Sequence, residues 1–291
     1  MSAGRMFSLA GKTVVVTGGA KGIGFGISLA MARCGAQVVI TGRSADALGH
    51  AQSQLQAEGA QGLEGAQGLE GAQVLAVQAD LTRSDDTARV VELALARFGR
   101  IDGGFNNAGS ARAADVGALI DIREDQWDRV VDLNLKWTFF AAQAAARAMK
   151  GGGAIVNITS RSASHANPRT GHYGAAKAGV ENLTLTMAAE WGHLGIRVNA
   201  VAPGVVMTDE LANTLNTEAR IRHQTELVPL QRIGQPDDVG PLCAYLVSDA
   251  AAWTSGAVIA VHGGSPVPMG YVSYMRQVNR QVGPIGAQRQ E

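Results

Sequence analysis

The sequence predicts an α/β protein built on one doubly wound parallel sheet of about seven strands, with helices on both faces. Two observations support this fold class. Seven short apolar runs alternate with longer helical patterns along the chain, and strands that are separated by helices pair in parallel. No linker interrupts this alternation, so residues 1–265 are predicted to form a single domain.

The predicted elements follow one another in a regular order. The strands are residues 12–17, 37–41, 73–78, 101–106, 154–159, 196–201 and 257–261. The helices end near residues 34, 59, 98, 149 and 191, and another begins at Pro236, since proline suits a first helical position. Ser44 and Ser84 are expected to cap the helices that follow them. Residues 125–149 are predicted to be one long helix, and residues 208–234 to be polar and irregular, with weak helix periodicity.

The composition limits the classes of function. With 46% hydrophobic residues, the 291-residue chain can bury a sizeable core. Its formal net charge is zero and it has no basic block, which argues against nucleic acid or an anionic membrane as a partner. It lacks the run of about 18 apolar residues that a membrane helix needs. Cys34 and Cys243 have no metal-ligand spacing, so we predict no metal site and an intracellular, cytoplasmic location.

Two segments stand apart from the alternating pattern. EGAQGL occurs twice in tandem from residue 58, and EGAQ recurs up to residue 73. We interpret residues 58–73 as an expansion within a surface connection, without a role in chemistry. Residues 266–291 form a C-terminal tail that is either disordered or packed on a substrate cleft or a neighbouring subunit. The apolar residues that a packed tail would use are Tyr271, Val272, Tyr274 and Met275.

Residues 160–177 contain the strongest candidates for chemistry. Tyr173 and Lys177 are four positions apart in a predicted helix, so their side chains project from one face. An ammonium group beside a phenol favours the phenolate, so a group with an ordinary pKa of about 10 could exchange protons near neutrality. Ser160 closes a predicted strand, at the edge where open α/β sheets bind ligands. Alone, the stretch also fits a solvated Tyr–Lys pair and a serine in a turn.

A glycine-rich turn lies between the first predicted strand and the first helix. Gly18, Gly22 and Gly24 allow positive φ angles and let backbone amides approach a pyrophosphate at the helix N-terminus. Their spacing differs from the GxGxxG fingerprint, and a plain turn is the alternative. The position of the turn in the chain favours dinucleotide binding.

The end of the second strand distinguishes between nicotinamide nucleotides. An NAD site usually places an acidic residue there to bind the ribose 2′-hydroxyl. This chain has Gly42, Arg43 and Ser44 instead, and Lys21 adds a cation in the glycine-rich turn. Two cations without an acid suit a 2′-phosphate, so NADP(H) is favoured over NAD(H). The alternative is that both cations are solvated surface charges; nearby Asp46 is interpreted as a first-turn helix residue.

Taken together in this order, the motifs resemble those of a classical short-chain dehydrogenase/reductase, a family with a Rossmann-like fold, over residues 9–265. The catalytic positions of the family correspond to Asn134, Ser160, Tyr173 and Lys177. The predicted cofactor positions are Thr17, Gly18, Lys21, Gly22, Ile23, Gly24, Arg43, Ser44, Asp80, Leu81, Asn107, Ala108, Gly109, Tyr173, Lys177, Pro203, Gly204, Val206 and Thr208. One departure is His262, which stands where the family often has an acid.

The resemblance implies a role for each catalytic position. Tyr173 would be the general acid in ketone reduction and the general base in alcohol oxidation. Lys177 would lower the pKa of Tyr173 and bind the ribose hydroxyls of the nicotinamide nucleotide. Ser160 would stabilise the charge that develops on the substrate oxygen. Asn134 would fix a water molecule between Lys177 and solvent.

The function predicted in this way is an NADP(H)-dependent oxidoreductase that interconverts a carbonyl compound and a secondary alcohol. The resemblance also implies a homotetramer that pairs through the helices at 125–149 and 171–191. Two alternatives stay open: a 3-oxoacyl-thioester reductase, and a nucleotide-binding protein without turnover. His165, His172 and His193 fit no metal motif, although His165 and His172 flank the expected substrate region, where either could touch substrate.

Overall fold

The fold consists of a parallel sheet between two layers of helices. The computed structural model describes residues 6–62, 73–109 and 113–265. In these residues the strands are β1 (Thr13–Val16), β2 (Gln37–Gly42), β3 (Val74–Gln78), β4 (Gly103–Asn106), β5 (Gly153–Ile158), β6 (Ile196–Pro203) and β7 (Val258–Val261). They form one seven-stranded sheet in the order β3-β2-β1-β4-β5-β6-β7, and every pair is parallel. The predicted fold class and strand number are confirmed.

Helices connect successive strands. Those of the described residues are α1 (Gly22–Arg33), α2 (Ala45–Gly62), α3 (Ser84–Phe98), α4 (Glu124–Val131), α5 (Trp137–Ala148), α6 (Gly171–Trp191), α7 (Asp209–Thr214), α8 (Glu218–Glu226) and α9 (Pro236–Val247). None of them is long and apolar enough to cross a membrane.

Each face of the sheet has its own hydrophobic core because side chains alternate along a strand. Val14 and Val16 pack with apolar residues of α1, α2 and α9 on one face. Val15, between them, packs with residues of α3, α5 and α6 on the other face. Each fully buried aliphatic side chain contributes about 1.5–3 kcal/mol to stability. Strands buried on both faces therefore read as continuous apolar runs, which is why the sequence revealed them.

The strand order creates a crevice at the carboxyl edge of the sheet. The chain moves outward from β1 to β2 and β3, and then returns to the other side of β1 to form β4. The connections after β1 and β4 therefore leave on opposite faces of the sheet. This reversal is the place where open α/β sheets bind ligands.

Three local predictions are wrong. Residues 125–149 are not one helix, because the π-helical segment Asp132–Lys136 separates α4 from α5. Ser84 does not cap α3; Arg83 occupies the N-cap position and Ser84 is the first helical residue. Residues 208–234 contain two short helices, α7 and α8, each capped by a threonine hydroxyl, and are less irregular than predicted.

Other local predictions hold or lie beyond the described residues. Ser44 caps α2, since its Oγ accepts a hydrogen bond from the backbone of Ala47 at 3.3 Å. The helix predicted to begin at Pro236 does so. Most of the EGAQGL repeat and the whole tail at 266–291 lie outside the described residues.

Candidate active site

The glycine-rich turn joins β1 to the start of α1. Gly18 has φ of 64° and Gly22 has φ of 50°, a region of backbone conformation that favours glycine. A Cβ atom on Gly24 would lie 2.1 Å from the carbonyl oxygen of Gly18, so the helix can approach the turn only because this residue is glycine. The turn brings the N-terminus of α1 to the crevice, where its backbone N–H groups can face an anion.

Thr17 holds the turn against the end of β4. Its hydroxyl donates a hydrogen bond to the carbonyl oxygen of Phe105 at 3.0 Å. The hydroxyl oxygen of Thr17 in turn accepts hydrogen bonds from the backbone N–H groups of Asn107 at 2.9 Å and Ala108 at 3.0 Å. The Thr17 hydroxyl therefore supports the shape of the turn, and the role of Thr17 as a cofactor position stays a prediction.

One end of the crevice, at the carboxyl ends of β2 and β3, carries exposed charges. Arg43 and Lys21 are both exposed. Asp80 follows β3, and its Oδ1 accepts hydrogen bonds from the backbone N–H and the hydroxyl of Thr82 at 3.0 and 2.8 Å. Partial burial raises the pKa of Asp80, but the hydrogen bonds from Thr82 and the charge of Arg43 outweigh it, and the pKa lies below its ordinary value.

The other end of the crevice contains a buried ammonium group. Lys177 is only 2% exposed, and its Nζ donates a hydrogen bond to the carbonyl oxygen of Ile158 at 2.9 Å. Nζ lies 5.7 Å from the centroid of the Tyr173 ring. Burial lowers the pKa of Lys177 from 10.5 to about 8, because a charged group loses its hydration there. The helical spacing predicted from the sequence therefore does place the two side chains together.

Tyr173 is half-buried in the wall of the cleft. Burial raises the pKa of the Tyr173 phenol, while its hydrogen bond with Ser160 acts in the opposite direction. The net pKa is raised, which is opposite to the lowering predicted from the sequence. The reason is that loss of hydration disfavours the phenolate, and the ammonium of Lys177 is bonded to Ile158 rather than to the phenol. At neutral pH the phenol consequently holds its proton, as an acid must.

Asn134 lies in the π-helical segment, beside Lys177. Its Nδ2 donates a hydrogen bond to the carbonyl oxygen of Val130 at 2.9 Å, which is the acceptor that an α-helix would offer to the Asn134 backbone. A Cβ atom on Gly109 would lie 2.5 Å from Asn134 Oδ1 and 3.1 Å from Lys177 Nζ. The three residues therefore converge on one point, although they come from separate parts of the chain. Single-turn π insertions are frequent at functional sites.

An ion pair that the sequence did not reveal ties the loop after β4 to α4. Asp115 is almost completely buried, and its Oδ1 accepts hydrogen bonds from Nε and Nη2 of Arg129 at 3.2 and 3.0 Å. Gln126, one turn earlier in α4, donates to the carbonyl oxygen of Ala114 at 2.7 Å. Both contacts hold the loop beside the helix that leads into Asn134. The i,i+4 pair of Asp125 and Arg129 was visible in the sequence, but the partner at residue 115 was not.

The proline-glycine segment follows β6. Pro203 is the last residue of β6, and the backbone N–H of Gly204 donates to the carbonyl oxygen of Val261 at 2.9 Å. Thr208 caps α7 and lies over the glycine-rich turn, since a Cβ atom on Gly22 would be 3.0 Å from its Cγ2. This segment therefore reaches the same crevice from the β6 side.

A cleft of about 1130 Å³ extends from the glycine-rich turn to Tyr173. The predicted residues that line it are Gly18, Lys21, Gly22, Ile23, Gly24, Arg43, Ser44, Asp80, Leu81, Asn107, Ala108, Gly109, Tyr173 and Thr208. The predicted residues that are not part of its lining are Thr17, Asn134, Ser160, Lys177, Pro203, Gly204 and Val206. Arg129 and Asp115 also line the cleft. One cleft therefore joins the glycine-rich turn, where phosphates can bind, to the proton donor Tyr173.

The histidines separate into two groups. His172 is fully buried and stacks on Trp127, with ring centroids 6.3 Å apart, so it does not reach the cleft. His165 and His262 are near each other beyond the carboxyl ends of the strands, where the charge of His165 acts on His262. Among the described residues, no group of three or more His, Cys, Asp or Glu side chains could hold a metal ion.

Comparisons with known proteins identify the family. A family model described as enoyl-(acyl carrier protein) reductase matches residues 18–265. The chain is 36% identical over 263 residues to the 3-oxoacyl-(acyl-carrier-protein) reductase of Synechocystis sp., which covers 89% of this chain and 98% of that protein. It is 32% identical over 258 residues to the 7α-hydroxysteroid dehydrogenase of Escherichia coli, which covers 88% of this chain and 94% of that protein.

Solved structures agree with these relatives. A short-chain type dehydrogenase/reductase from Mycobacterium ulcerans superimposes with a TM-score of 0.80 and 36% identity, over 88% of this chain and 90% of that one. A 7α-hydroxysteroid dehydrogenase in complex with NADH and 7-oxo glycochenodeoxycholic acid superimposes with a TM-score of 0.81 and 31% identity, over 91% of this chain and 98% of that one.

Proposed function

The chain belongs to the short-chain dehydrogenase/reductase family of oxidoreductases, and we propose that it is an NADP(H)-dependent member that interconverts a ketone and a secondary alcohol. One observation carries the proposal. The Tyr173 phenol lies beside a buried ammonium group, that of Lys177, at one end of a cleft whose other end is a glycine-rich turn. A dinucleotide fits this arrangement because the turn offers backbone N–H groups to its phosphates.

The residues of the chain supply the proton for the substrate oxygen and hold that oxygen in position. In reduction, Tyr173 donates its proton to the substrate oxygen, and Ser160 donates a hydrogen bond to the same oxygen as negative charge develops. Lys177 and Asn134 restore the proton from solvent, and Lys177 also binds ribose hydroxyls. The nicotinamide cofactor, when bound, supplies or accepts the hydride. In oxidation the same groups act in reverse.

The preference for NADP(H) rests on charge at the exposed end of the cleft. Gly42 leaves no acid to bind a ribose 2′-hydroxyl, and Arg43 and Lys21 both line the cleft there. Asp80 is the nearby acid, but it is bonded to Thr82. A 2′-phosphate would therefore meet two cations, and arginine can bind its oxygens bidentately.

The direct test is oxidation of NADPH, followed at 340 nm, in the presence of a panel of ketones and 2-oxo sugars. We expect turnover with NADPH and weaker turnover with NADH at equal concentration. Tight binding of NADPH without turnover of any carbonyl compound would instead identify a nucleotide-binding protein that is not an enzyme. Equal kcat/KM values for the two cofactors would refute the cofactor preference alone.

A 3-oxoacyl-thioester reductase is the second candidate, and the 36% identity to the Synechocystis 3-oxoacyl-(acyl-carrier-protein) reductase favours it. Acetoacetyl-coenzyme A belongs in the substrate panel for this reason. Rates well above those of simple ketones would favour the thioester reductase.

We also propose a homotetramer that pairs through α4, α5 and α6. Each of these helices carries a large apolar side chain that is more than two-fifths exposed: Trp127, Phe140 and Leu185. Burial of such residues stabilises association. Light scattering after size exclusion would give the mass, and a monomer would refute the proposal. The cytoplasmic location stays a prediction from composition.

A further inference from the structure

Arg161 stands next to the candidate catalytic serine, and its guanidinium forms no ion pair with a carboxylate of the described residues. Its Nη1 donates a hydrogen bond to the hydroxyl of Ser265 at 3.2 Å. This is the one hydrogen bond that the guanidinium makes with the part of the chain that the structure describes, and no carboxylate of those residues lies within 4.0 Å of it. Six other arginines do have a carboxylate within that distance. They are Arg33, Arg89, Arg100, Arg123, Arg129 and Arg232.

Two histidines lie around Arg161. Nδ1 of His165 is 3.3 Å from the carbonyl oxygen of Arg161. His262 follows β7 directly, and the backbone N–H of Ser265 donates to its carbonyl oxygen at 3.1 Å. Burial, together with the charges of His165 and Arg161, holds the pKa of His262 below its ordinary value. The guanidinium of Arg161 is therefore the fixed positive charge of this cluster.

The cluster is at the edge of the sheet where the substrate must lie. Ser160 follows β5, Gly204 follows β6 and His262 follows β7. A Cβ atom on Gly204 would lie 2.6 Å from Cβ of His262, so the proline-glycine segment is in contact with the cluster. Arg161 therefore follows Ser160 directly and contacts Ser265, close to the ends of the neighbouring strands β6 and β7.

We propose that the substrate is a carbonyl compound that also carries an oxyanion group, a carboxylate or a phosphate, and that Arg161 is the residue that recognises this group. The inference rests on the proposed function, since it places the oxyanion relative to the carbonyl that Tyr173 and Ser160 would bind. A planar guanidinium binds two oxygens of a carboxylate or a phosphate at once. The rings of His165 and His262 can add N–H donors to the same site. Other described arginines, such as Arg97, also lack an ion pair; Arg161 differs from them in its position beside Ser160, at the carboxyl edge of the sheet.

The first test compares matched substrates with the wild-type protein and NADPH. The pairs are 4-oxopentanoate with its methyl ester, and dihydroxyacetone phosphate with dihydroxyacetone; the first pair probes a carboxylate and the second a phosphate. We expect the anionic member of at least one pair to have a kcat/KM about 10- to 100-fold higher, the range typical of a charge-assisted hydrogen bond. Equal values within both pairs would overturn the proposal, while the proposed function would stand.

The second test replaces the arginine. Arg161→Gln should remove the preference for the anionic member and leave the kcat/KM of the neutral member within about threefold, because only the charged contact is lost. Arg161→Lys keeps the positive charge but loses the planar guanidinium that can bind two oxygens at once, so it should retain part of the preference for the anionic substrate. The matched control is Arg97→Gln, at the exposed end of α3 and at the opposite edge of the sheet. An equal effect of both glutamine variants, or a uniform loss on charged and neutral substrates, would contradict recognition by Arg161.

The two levels of failure are distinguishable. If no carbonyl compound of the whole panel, both pairs included, is reduced although NADPH binds, the proposed function fails and the inference fails with it. If neutral ketones are reduced as well as anionic ones, only the inference fails.

Discussion

The two ends of the cleft differ in how their charged groups meet water. At the glycine-rich end, Arg43 and Lys21 are exposed. At the other end, Lys177 is 2% exposed, and burial changes the pKa values of both Lys177 and Tyr173. Exposed charges are screened by salt and water and recognise a ligand by attraction. Buried groups have altered proton affinities, which is what proton transfer requires.

The contrast arises from the elements that build each end. The exposed end consists of the turns after β1, β2 and β3, with few side chains above them. The buried end lies where β5, α6 and the π segment meet, so each ionisable side chain there loses hydration on several sides at once. We therefore expect substitutions at the buried end to have the larger effects, in the order that follows.

The largest effect is expected for Tyr173→Phe. The ring still fills its place, but the proton donor is lost, so kcat should fall by about 10²- to 10⁴-fold while NADPH binding stays nearly unchanged. Steady-state kinetics and fluorescence titration with NADPH would measure the two quantities. Tyr245→Phe is the matched control. It removes a phenol of α9 that bonds to the hydroxyl of Thr254 and lies outside the cleft. A Tyr173→Phe protein that keeps its turnover would contradict the role of this phenol.

A pH-dependent gain in stability is expected for Lys177→Met. The pKa of Lys177 is lowered from 10.5 to about 8 in the folded protein, so the folded state binds fewer protons than the unfolded state between these values. The buried lysine therefore lowers the stability of the wild type below pH 8, and this penalty disappears as the pH rises towards 10.5. Methionine carries no such penalty. The difference in free energy of unfolding between the variant and the wild type should therefore be about 3 kcal/mol more favourable to the variant at pH 7 than at pH 10.5.

Urea denaturation at several pH values between 7 and 10.5 would measure the difference between variant and wild type. The control is Lys150→Met, which removes an exposed ammonium group. If the free energies of unfolding of Lys177→Met and the wild type differ by the same amount at every pH in this range, burial does not shift the pKa of Lys177.

An intermediate effect is expected for Arg129→Gln, at a site of intermediate exposure. The substitution would leave the carboxylate of Asp115 buried without its partner, so we expect the free energy of unfolding to fall by about 1–3 kcal/mol. This loss is smaller than for a fully buried pair because the side chain of Arg129 is 45% exposed. Arg123→Gln is the control in the turn before α4, where the pair with Asp125 is exposed, and it should cost less than about 1 kcal/mol. Equal melting temperatures for both variants would exclude a special contribution from Asp115.

The smallest effect is expected for Arg43→Ala at the exposed end. Loss of a solvated cation should weaken NADPH binding by about 10-fold and NADH binding much less, because only NADPH carries the 2′-phosphate. The difference should shrink at high salt. Isothermal titration with both nucleotides would measure it. Equal losses for both would show that Arg43 does not read the 2′-phosphate.

Much of the fold and of the candidate site could be predicted because the signals are local. A buried parallel strand is a short apolar run, as in Val14 to Val16, and the turn after it needs its glycines in sequence. The four-residue spacing of Tyr173 and Lys177 fixes their common helix face. The π segment was missed, although two polar residues four apart, Asn134 and Thr138, each bond to the carbonyl four residues earlier.

The sequence by itself determined the fold class, the order of the motifs and the family, because each depends on residues that are neighbours in the chain. Only the tertiary structure decided the direction of the Tyr173 pKa, the commitment of the Thr17 hydroxyl to β4, the pairing of Asp115 with Arg129, and the contact of Arg161 with Ser265. These properties depend on hydration and on contacts between distant segments. The hydration of a phenol depends on all the elements that pack against it, so it cannot be predicted from the spacing of residues along the chain.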